Sequence, residues 1–363
     1  MSKKLIVSHV FYLATCCWSM LHSAVSSETT LLWLLRTLSF VGGTLMLGGS
    51  SFAWTFATLQ PAAAHAVFRN DARSTARLGA ACIVICALPI LLVRAHDVAS
   101  SSPDWLSRGL VAVFSNWWGL VWLLQVAATL VVVLLLGERT IGSPWVIAVQ
   151  TIVVLTLSPT GHALAVVNTN ARLMALAAAW LHLLAISVWL GGVMVLAHAL
   201  PTALTQIAQA ERAAFARGVL ARFSNVAIPM VSVMMLTGLY AMWLHLPSLR
   251  TFVESGYGKT LLVKIVVVGS ILYLGSRHFV AGHSRRANSV QFNCRALTVE
   301  AALALAAIAI SAFLVAQAPP GRPALPAASM LRGEAVEWNL RLAPKARRER
   351  TSARGLTDKA RAF

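Results

Sequence analysis

The chain has 363 residues, of which 58% are hydrophobic and only 12% are charged. A soluble domain carries roughly 25% charged residues, so this composition excludes an ordinary soluble protein and indicates a helical protein that crosses a membrane several times. The formal net charge of +18 does not predict nucleic-acid binding, because the basic residues lie between apolar runs and in the C-terminal tail.

The first 27 residues combine Lys3 and Lys4 with an apolar run of about twenty residues. Two interpretations stay open for residues 1–27: a signal peptide, or an extra N-terminal helix. At the other end, residues 319–363 form a basic tail, which we expect to be flexible because it is polar and rich in arginine.

Between these ends, eight apolar segments are long enough to be membrane-spanning helices, so we predict an all-α polytopic bundle. The spans run over residues 31–59, 78–95, 113–136, 145–166, 173–200, 223–246, 259–281 and 296–317. Basic residues concentrate between alternate spans, among them Arg69, Arg73, Arg77, Arg212, Arg217 and Arg222. The positive-inside rule assigns those segments to the cytoplasm and the loops 96–112, 167–172 and 247–258 to the opposite side.

A short internal repeat supports a division into two halves. Residues 38–47 read LSFVGGTLML and residues 187–196 read SVWLGGVMVL. This similarity predicts two parallel four-helix halves, residues 28–166 and 167–318. We interpret the glycine pairs as close-packing contacts between helices rather than as parts of a ligand site.

The residue that most needs an explanation is His182, which lies near the middle of the fifth span. An imidazole at that depth is costly in hydrocarbon and requires a partner, a cavity or a ligand. His162 lies near the outer end of the fourth span, where Pro159 and Gly161 loosen the helix.

In the sixth span, polar and sulfur-containing side chains fall on one helix face. The residues recur at intervals of three and four and are Met235, Gly238, Met242 and His245. Imidazole and thioether donors without nearby carboxylates suit copper, Cu(I) in particular, better than magnesium or calcium. Structural interpretations of the same residues stay open. A methionine stripe is commonly core packing, and His245 beside Trp243 suits the membrane interface.

Two basic residues, Arg36 and Lys264, lie inside predicted spans near their outer ends. We interpret them as side chains that reach outward to the membrane surface; the alternative is that they repel a cation in a path. The sequence contains no nucleophile elbow, phosphate loop or HExxH motif, so no catalytic residue is predicted and the protein is not expected to be an enzyme.

The second half of the chain resembles the CopD-type copper-resistance membrane proteins in the order of several short motifs. The motifs are Gly161-His162-Ala163, Leu181-His182-Leu183-Leu184, Trp189-Leu190-Gly191-Gly192, Arg222-Phe223-Ser224, Thr237-Gly238-Leu239, Tyr257-Gly258-Lys259, Leu262-Val263-Lys264, Val299-Glu300 and Ala318-Pro319-Pro320. His162 and His182 match family positions, whereas Met242 and His245 are added from helix geometry alone.

The resemblance implies a bacterial inner-membrane protein that moves or handles copper, usually inward, often beside a small periplasmic copper-binding protein. We therefore predict copper transport through His162, His182, Met242 and His245, with the outward loops in the periplasm. Two other functions stay open: a b-haem-binding membrane oxidoreductase or oxidase-assembly factor, and a non-transporting scaffold for a periplasmic copper chaperone.

Overall fold

The computed structural model describes residues 27–158, 169–245, 249–283 and 294–317. Within these ranges the chain forms ten α-helices and no β-strand, which confirms the predicted all-α fold. Helices satisfy their backbone polar groups within one segment, as an apolar chain requires in lipid. The helices are α1 Ser27–Thr55, α2 Ala62–Ala99, α3 Trp105–Phe114, α4 Trp117–Leu135, α5 Pro144–Leu157, α6 Thr169–Thr205, α7 Arg212–His245, α8 Leu249–Glu254, α9 Gly256–His283 and α10 Cys294–Ala316.

Seven of the described helices are long and apolar enough to span a membrane, namely α1, α2, α4, α6, α7, α9 and α10. They match seven of the eight predicted spans and confirm a multi-pass membrane protein. The remaining predicted span, 145–166, corresponds to α5, whose helix has 14 residues. Residues 159–168 lie outside the described residues, as do 1–26 and 318–363.

Several helices are longer than predicted. Helix α2 begins at Ala62 rather than at residue 78, and α7 begins at Arg212 rather than at residue 223. With 38 residues at a rise of about 1.5 Å each, α2 is much longer than the hydrocarbon core is thick, about 30 Å. The prediction that the arginines before these spans occupy loops is wrong, because they lie within the N-terminal parts of α2 and α7.

The arginines of α2 have a packing role that explains this extension. Spaced four residues apart, they share one helix face and contact the turn that follows α4. Arg77 donates to the Leu136 carbonyl at 2.7 and 3.1 Å, Arg73 pairs with the Glu138 carboxylate at 2.9 Å, and Arg69 donates to the Glu138 carbonyl. These bonds supply donors to carbonyls at the end of α4, where intrahelical partners are missing.

Two short helices occupy loops that we predicted on the side of the membrane opposite the cytoplasm. Helix α3 lies within the loop 96–112 and extends just beyond it, and α8 lies within 247–258. Gly109 of α3 packs directly on the backbone of Ala95 in α2. The segment after α2 is therefore not an irregular loop, because it contains α3, which packs back against the end of α2.

The glycine pair of α6 is a packing contact, as predicted. Gly191 lies against the Thr44 carbonyl of α1, and a Cβ atom at position 191 would be 2.7 Å from the Gly48 Cα. Gly192 faces α7, where a Cβ atom would be 2.6 Å from the ring of Phe223. Because glycine has no side chain, α6 approaches both neighbours closely.

The buried apolar residues form two clusters. The larger one includes residues of α1, α2, α4 and α5 together with the C-terminal part of α6. The smaller one joins α6, α7, α9 and α10 around Trp189, Met234, Ile271 and Ile308. His182 lies on α6 beside this smaller cluster, near Met234. The parallel four-helix repeat itself stays a prediction.

Candidate functional site

His182 of α6 faces α7, with which it forms its only hydrogen bonds in the described part of the chain. Its Nδ1 atom lies 2.9 Å from the Thr237 hydroxyl and 3.1 Å from the Met234 carbonyl oxygen. The side chain is half-buried. The expected partner of this intramembrane imidazole is therefore a pair of oxygen atoms on the neighbouring helix.

These contacts fix which ring nitrogen carries the proton. A carbonyl oxygen only accepts, so Nδ1 must be protonated to donate to Met234. The Thr237 hydroxyl donates to the Val233 carbonyl of its own helix at 2.7 Å, which leaves its lone pairs able to accept from Nδ1. Nε2 of His182 then holds the free lone pair, and no described residue donates to it.

A histidine that binds a metal is commonly held in this way. One ring nitrogen donates to a carbonyl or other fixed acceptor, which sets the tautomer and the ring orientation, and the other nitrogen coordinates the ion. His182 has the first half of this arrangement in place. Its position between two helices also fixes the direction in which Nε2 can accept a ligand.

The residues that follow Thr237 leave room beside the ring. A Cβ atom at Gly238 would be 3.5 Å from Cε1 of His182 and 3.9 Å from Nδ1. Met242 lies four residues further on, about 6 Å along the axis, on the same helix face as Gly238, and it is half-buried. The face predicted from the sequence therefore meets His182 at Gly238, with Met242 one turn away.

The other predicted ligands lie partly outside the described residues. His162 falls in the segment 159–168, and His245 is the last residue of α7, with a side chain that is not described. Among the side chains that are described, no three of the His, Cys, Asp or Glu residues are grouped closely enough to hold a metal ion. The convergence of His162, His182, Met242 and His245 stays a prediction.

A positive charge lies near the imidazole. Lys264 of α9 is close enough to His182 for its ammonium group to act on the ring electrostatically. A cation held by Nε2 would be repelled by this ammonium group, because like charges repel more strongly in a partly buried site than in water. The interpretation in which Lys264 opposes a cation stays a prediction.

Thr237 is the neighbour that sequence reasoning missed. It belongs to the motif Thr237-Gly238-Leu239, but a helical threonine usually bonds to the carbonyl four residues earlier, and Thr237 does so with Val233. The hydroxyl also lies 3.1 Å from the Met234 carbonyl of its own helix, whereas its bond to His182 depends on how α6 packs on α7. The motif could have marked Thr237 as a candidate, but not which residue it contacts.

Comparison with known proteins decides the family. The family model described as "Copper resistance protein D-like, N-terminal domain" matches residues 26–170, and "Copper resistance protein D" matches residues 217–314. The two matches follow each other in the chain and together cover more than half of it. This chain belongs to the CopD-type copper-resistance proteins.

Within this CopD-type chain, the matched ranges divide the predicted site. His162 lies in the N-terminal match, and Thr237 and Met242 lie in the second. His182 lies between the two matched ranges, on the helix that connects them. Its assignment as a ligand therefore depends on the geometry at α7 and on the motif resemblance.

A curated relative has a matching name. The "Copper transport protein CutJ" of Bacillus subtilis (strain 168) is 28% identical over 165 residues, which covers 46% of this CopD-type chain and 29% of the relative. The chain thus matches less than a third of that relative's length. No solved structure matches the chain.

Proposed function

We propose that this chain transports copper across the membrane and that Nε2 of His182 is a ligand on the path. The orientation of the imidazole carries the proposal: Nδ1 donates to Met234 and Thr237, and the free Nε2 lone pair faces away from them. Membership of a copper-resistance family and the name of the Bacillus relative support copper as the cargo. Imidazole and thioether donors suit this ion, Cu(I) in particular.

The remaining ligands of the proposed path are His162, Met242 and His245. Met242 and His245 share the α7 face that meets His182 at Gly238. An ion that passes among a few soft donors can move by ligand exchange, because no single position holds it in a complete coordination shell. We propose that copper moves inward, entering at the end of α7 that carries His245.

We further propose that the protein lies in a bacterial inner membrane with the loops 96–112, 167–172 and 247–258 in the periplasm. The arginine-rich N-terminal parts of α2 and α7 lie at one end of the bundle, where Arg222 donates to Thr58 at 2.8 Å and His198 contacts Asp71 at 3.1 Å. Such an accumulation of positive charge favours the cytoplasmic side. A periplasmic copper-binding protein would then deliver copper at the opposite end.

Copper accumulation in cells tests the role of His182. Cells that express wild type should accumulate more copper than cells with an empty vector, and His182→Ala should abolish the difference. His198→Ala is a matched control, because His198 lies on the same helix with 79% of its side chain exposed. If His182→Ala and wild type accumulate equal amounts at equal expression, His182 is not on the path.

Absorbance, chaperone binding and copper uptake together distinguish transport from the two other functions. A Soret absorbance band that is lost in His182→Ala would replace copper transport with haem binding, since axial histidine ligands hold b-type haem. A scaffold would still bind a periplasmic copper chaperone after loss of both His162 and His182, and would produce no copper uptake. The transport proposal predicts uptake without a Soret band.

A further inference from the structure

A second site with polar groups lies in the other half of the molecule, in a cavity between α1, α2, α4 and α5. Two arginines line it, Arg36 of α1 and Arg94 of α2, together with Gln125 of α4. The rest of the lining is mostly apolar and includes Trp118 and Trp122 of α4. This cavity is separate from His182 and has no role in the proposed copper path.

The charges in this cavity do not balance. Arg36 and Arg94 are close enough to repel each other, and the carboxylate that acts on both is that of Asp97. Asp97 lies 3.7 Å from a terminal nitrogen of Arg94, beyond the range of a strong charge-assisted hydrogen bond. Two guanidinium groups therefore share one carboxylate inside a membrane-spanning region, where unpaired charge is costly.

The hydrogen-bond donors are also in excess. Each guanidinium has five N–H donors, and neither Arg36 nor Arg94 donates a hydrogen bond to any described residue. The Nε atom of Arg94 is buried without a partner, and only 14% of the whole side chain is exposed. The Gln125 side chain is buried and likewise forms no hydrogen bond in the described part of the chain.

Two residues of the lining are held by contacts of their own. The Trp122 indole donates to the Ala87 carbonyl at 3.1 Å and packs edge-on against Phe114 at 5.9 Å. The neighbouring Ser39 hydroxyl is occupied, since it donates to the Leu35 carbonyl at 2.9 Å. The donors that remain include those of the two arginines, the Gln125 amide and the Trp118 indole, and the two guanidinium groups favour an acceptor with negative charge.

We propose that this cavity binds a phosphate-type oxyanion. A phosphate group offers three or four acceptor oxygens, enough to bridge two guanidinium groups with paired hydrogen bonds, and its charge compensates the second arginine. The same chemistry is available from the headgroup of an anionic phospholipid and from free phosphate. Outward extension of Arg36 alone does not explain the site, because Arg94 is largely buried beside it.

Thermal unfolding of the full chain in a sugar-headgroup detergent, which contains no phosphate, tests the proposal. Either inorganic phosphate or phosphatidylglycerol is added, at constant ionic strength set with chloride. A ligand that binds only the folded state raises the unfolding midpoint. A rise with both ligands indicates a site for either source, and a rise with phosphatidylglycerol alone identifies a lipid-headgroup site.

Matched variants locate the effect. Arg36→Gln and Arg94→Gln should each raise the half-saturating ligand concentration at least about ten-fold, whereas Arg108→Gln, an exposed arginine on α3, should respond as wild type does. Arg94→Lys keeps the charge but lacks the planar fork, so it should also weaken binding. This variant replaces Arg94→Gln in the test if Arg94→Gln does not fold. The proposal is wrong if neither ligand raises the midpoint, or if the Arg36 and Arg94 variants respond like wild type.

Discussion

The Thr237 hydroxyl lies 2.9 Å from Nδ1 of His182 and joins α7 to α6 inside the membrane-spanning bundle. This bond, together with the one to the Met234 carbonyl, holds the proton on Nδ1 and leaves Nε2 with a free lone pair. The same contacts thus link two helices and set the orientation of the imidazole. Separating the two roles requires variants that change the hydroxyl and leave the imidazole intact.

Thr237→Val should weaken copper binding without preventing folding. The valine has nearly the same shape but cannot accept from Nδ1, so the ring loses one of its two orienting partners. Loss of such a partner typically lowers metal affinity about 10- to 100-fold. Thr237→Ser keeps the hydroxyl and should retain most of the affinity. Equal copper dissociation constants for Thr237→Val and wild type would show that Thr237 does not orient a copper ligand.

Lys264→Leu should increase the affinity for copper at His182. The substitution removes the ammonium group that acts on the ring, and the leucine side chain offers no donor atom to copper. Lys264→Arg keeps the charge and should bind copper no more tightly than wild type. Titration of the purified proteins with copper measures both. A Lys264→Leu protein that binds copper as weakly as Lys264→Arg would contradict a repulsive role for this charge.

Gly238→Leu should block the site, whereas Gly238→Ala should not. An alanine Cβ would make ordinary van der Waals contact with the ring, at 3.5 Å from Cε1 of His182. A leucine side chain extends into the space next to Cε1, between the two ring nitrogens, and would displace the ring or cover Nε2. Copper uptake should be lost in the leucine variant at normal expression and kept in the alanine variant. Uptake in both would indicate that copper does not approach from this side.

Gly191→Ala should destabilise the protein by about 1–3 kcal/mol. The added methyl group would meet the Thr44 carbonyl and the Gly48 Cα of α1, which are backbone atoms and cannot turn away. Gly218→Ala on α7 is the control, since no atom lies within 4 Å of its added Cβ. The control should leave the unfolding midpoint unchanged or slightly raised, because alanine favours helix over glycine. Similar midpoints for the two variants would refute a tight α1–α6 contact.

Arg77→Gln should lower stability by about 1–2 kcal/mol, because the Leu136 carbonyl would lose its charged donor. Arg139→Gln removes the same charge from the same end of the bundle, but Arg139 is exposed and should affect stability little. The pair distinguishes a structural arginine from one that contributes only to topology. Urea or thermal unfolding in detergent measures the difference, and equal losses in both variants would contradict the capping role.

The sequence predicted the spans better than the helix ends. Apolar windows located seven long helices, because hydrocarbon demands continuous apolar helices. The windows began only after Arg77 and Arg222, however, and so missed the arginine-rich N-terminal parts of α2 and α7. Arg69, Arg73 and Arg77 are spaced for one helix face, but the turn after α4 that they contact is distant in sequence. Nothing local to α2 reveals that contact.

The candidate site was predictable to a similar degree. The depth of His182 in an apolar run identified it as a residue that needs a partner. The partner itself, Thr237, depends on the rotation of α7 against α6, which a helix-period pattern does not determine. The proximity of the two arginines in the cavity was not predictable for the same reason. The sequence identified Arg36 as an isolated charge, but its position beside Arg94 depends on how α1 packs on α2.

The contact between Gly191 and Gly48 has a mechanical consequence for the helix that carries His182. Where two backbones touch, one helix cannot slide past the other without opening an unfilled gap. Helix α6 is therefore anchored to α1, whereas its link to α7 at His182 consists of hydrogen bonds that can break and re-form. We expect α6 to stay in place relative to α1. Exposing Nε2 first to one side of the membrane and then to the other would therefore require α7 and α9 to tilt relative to α6.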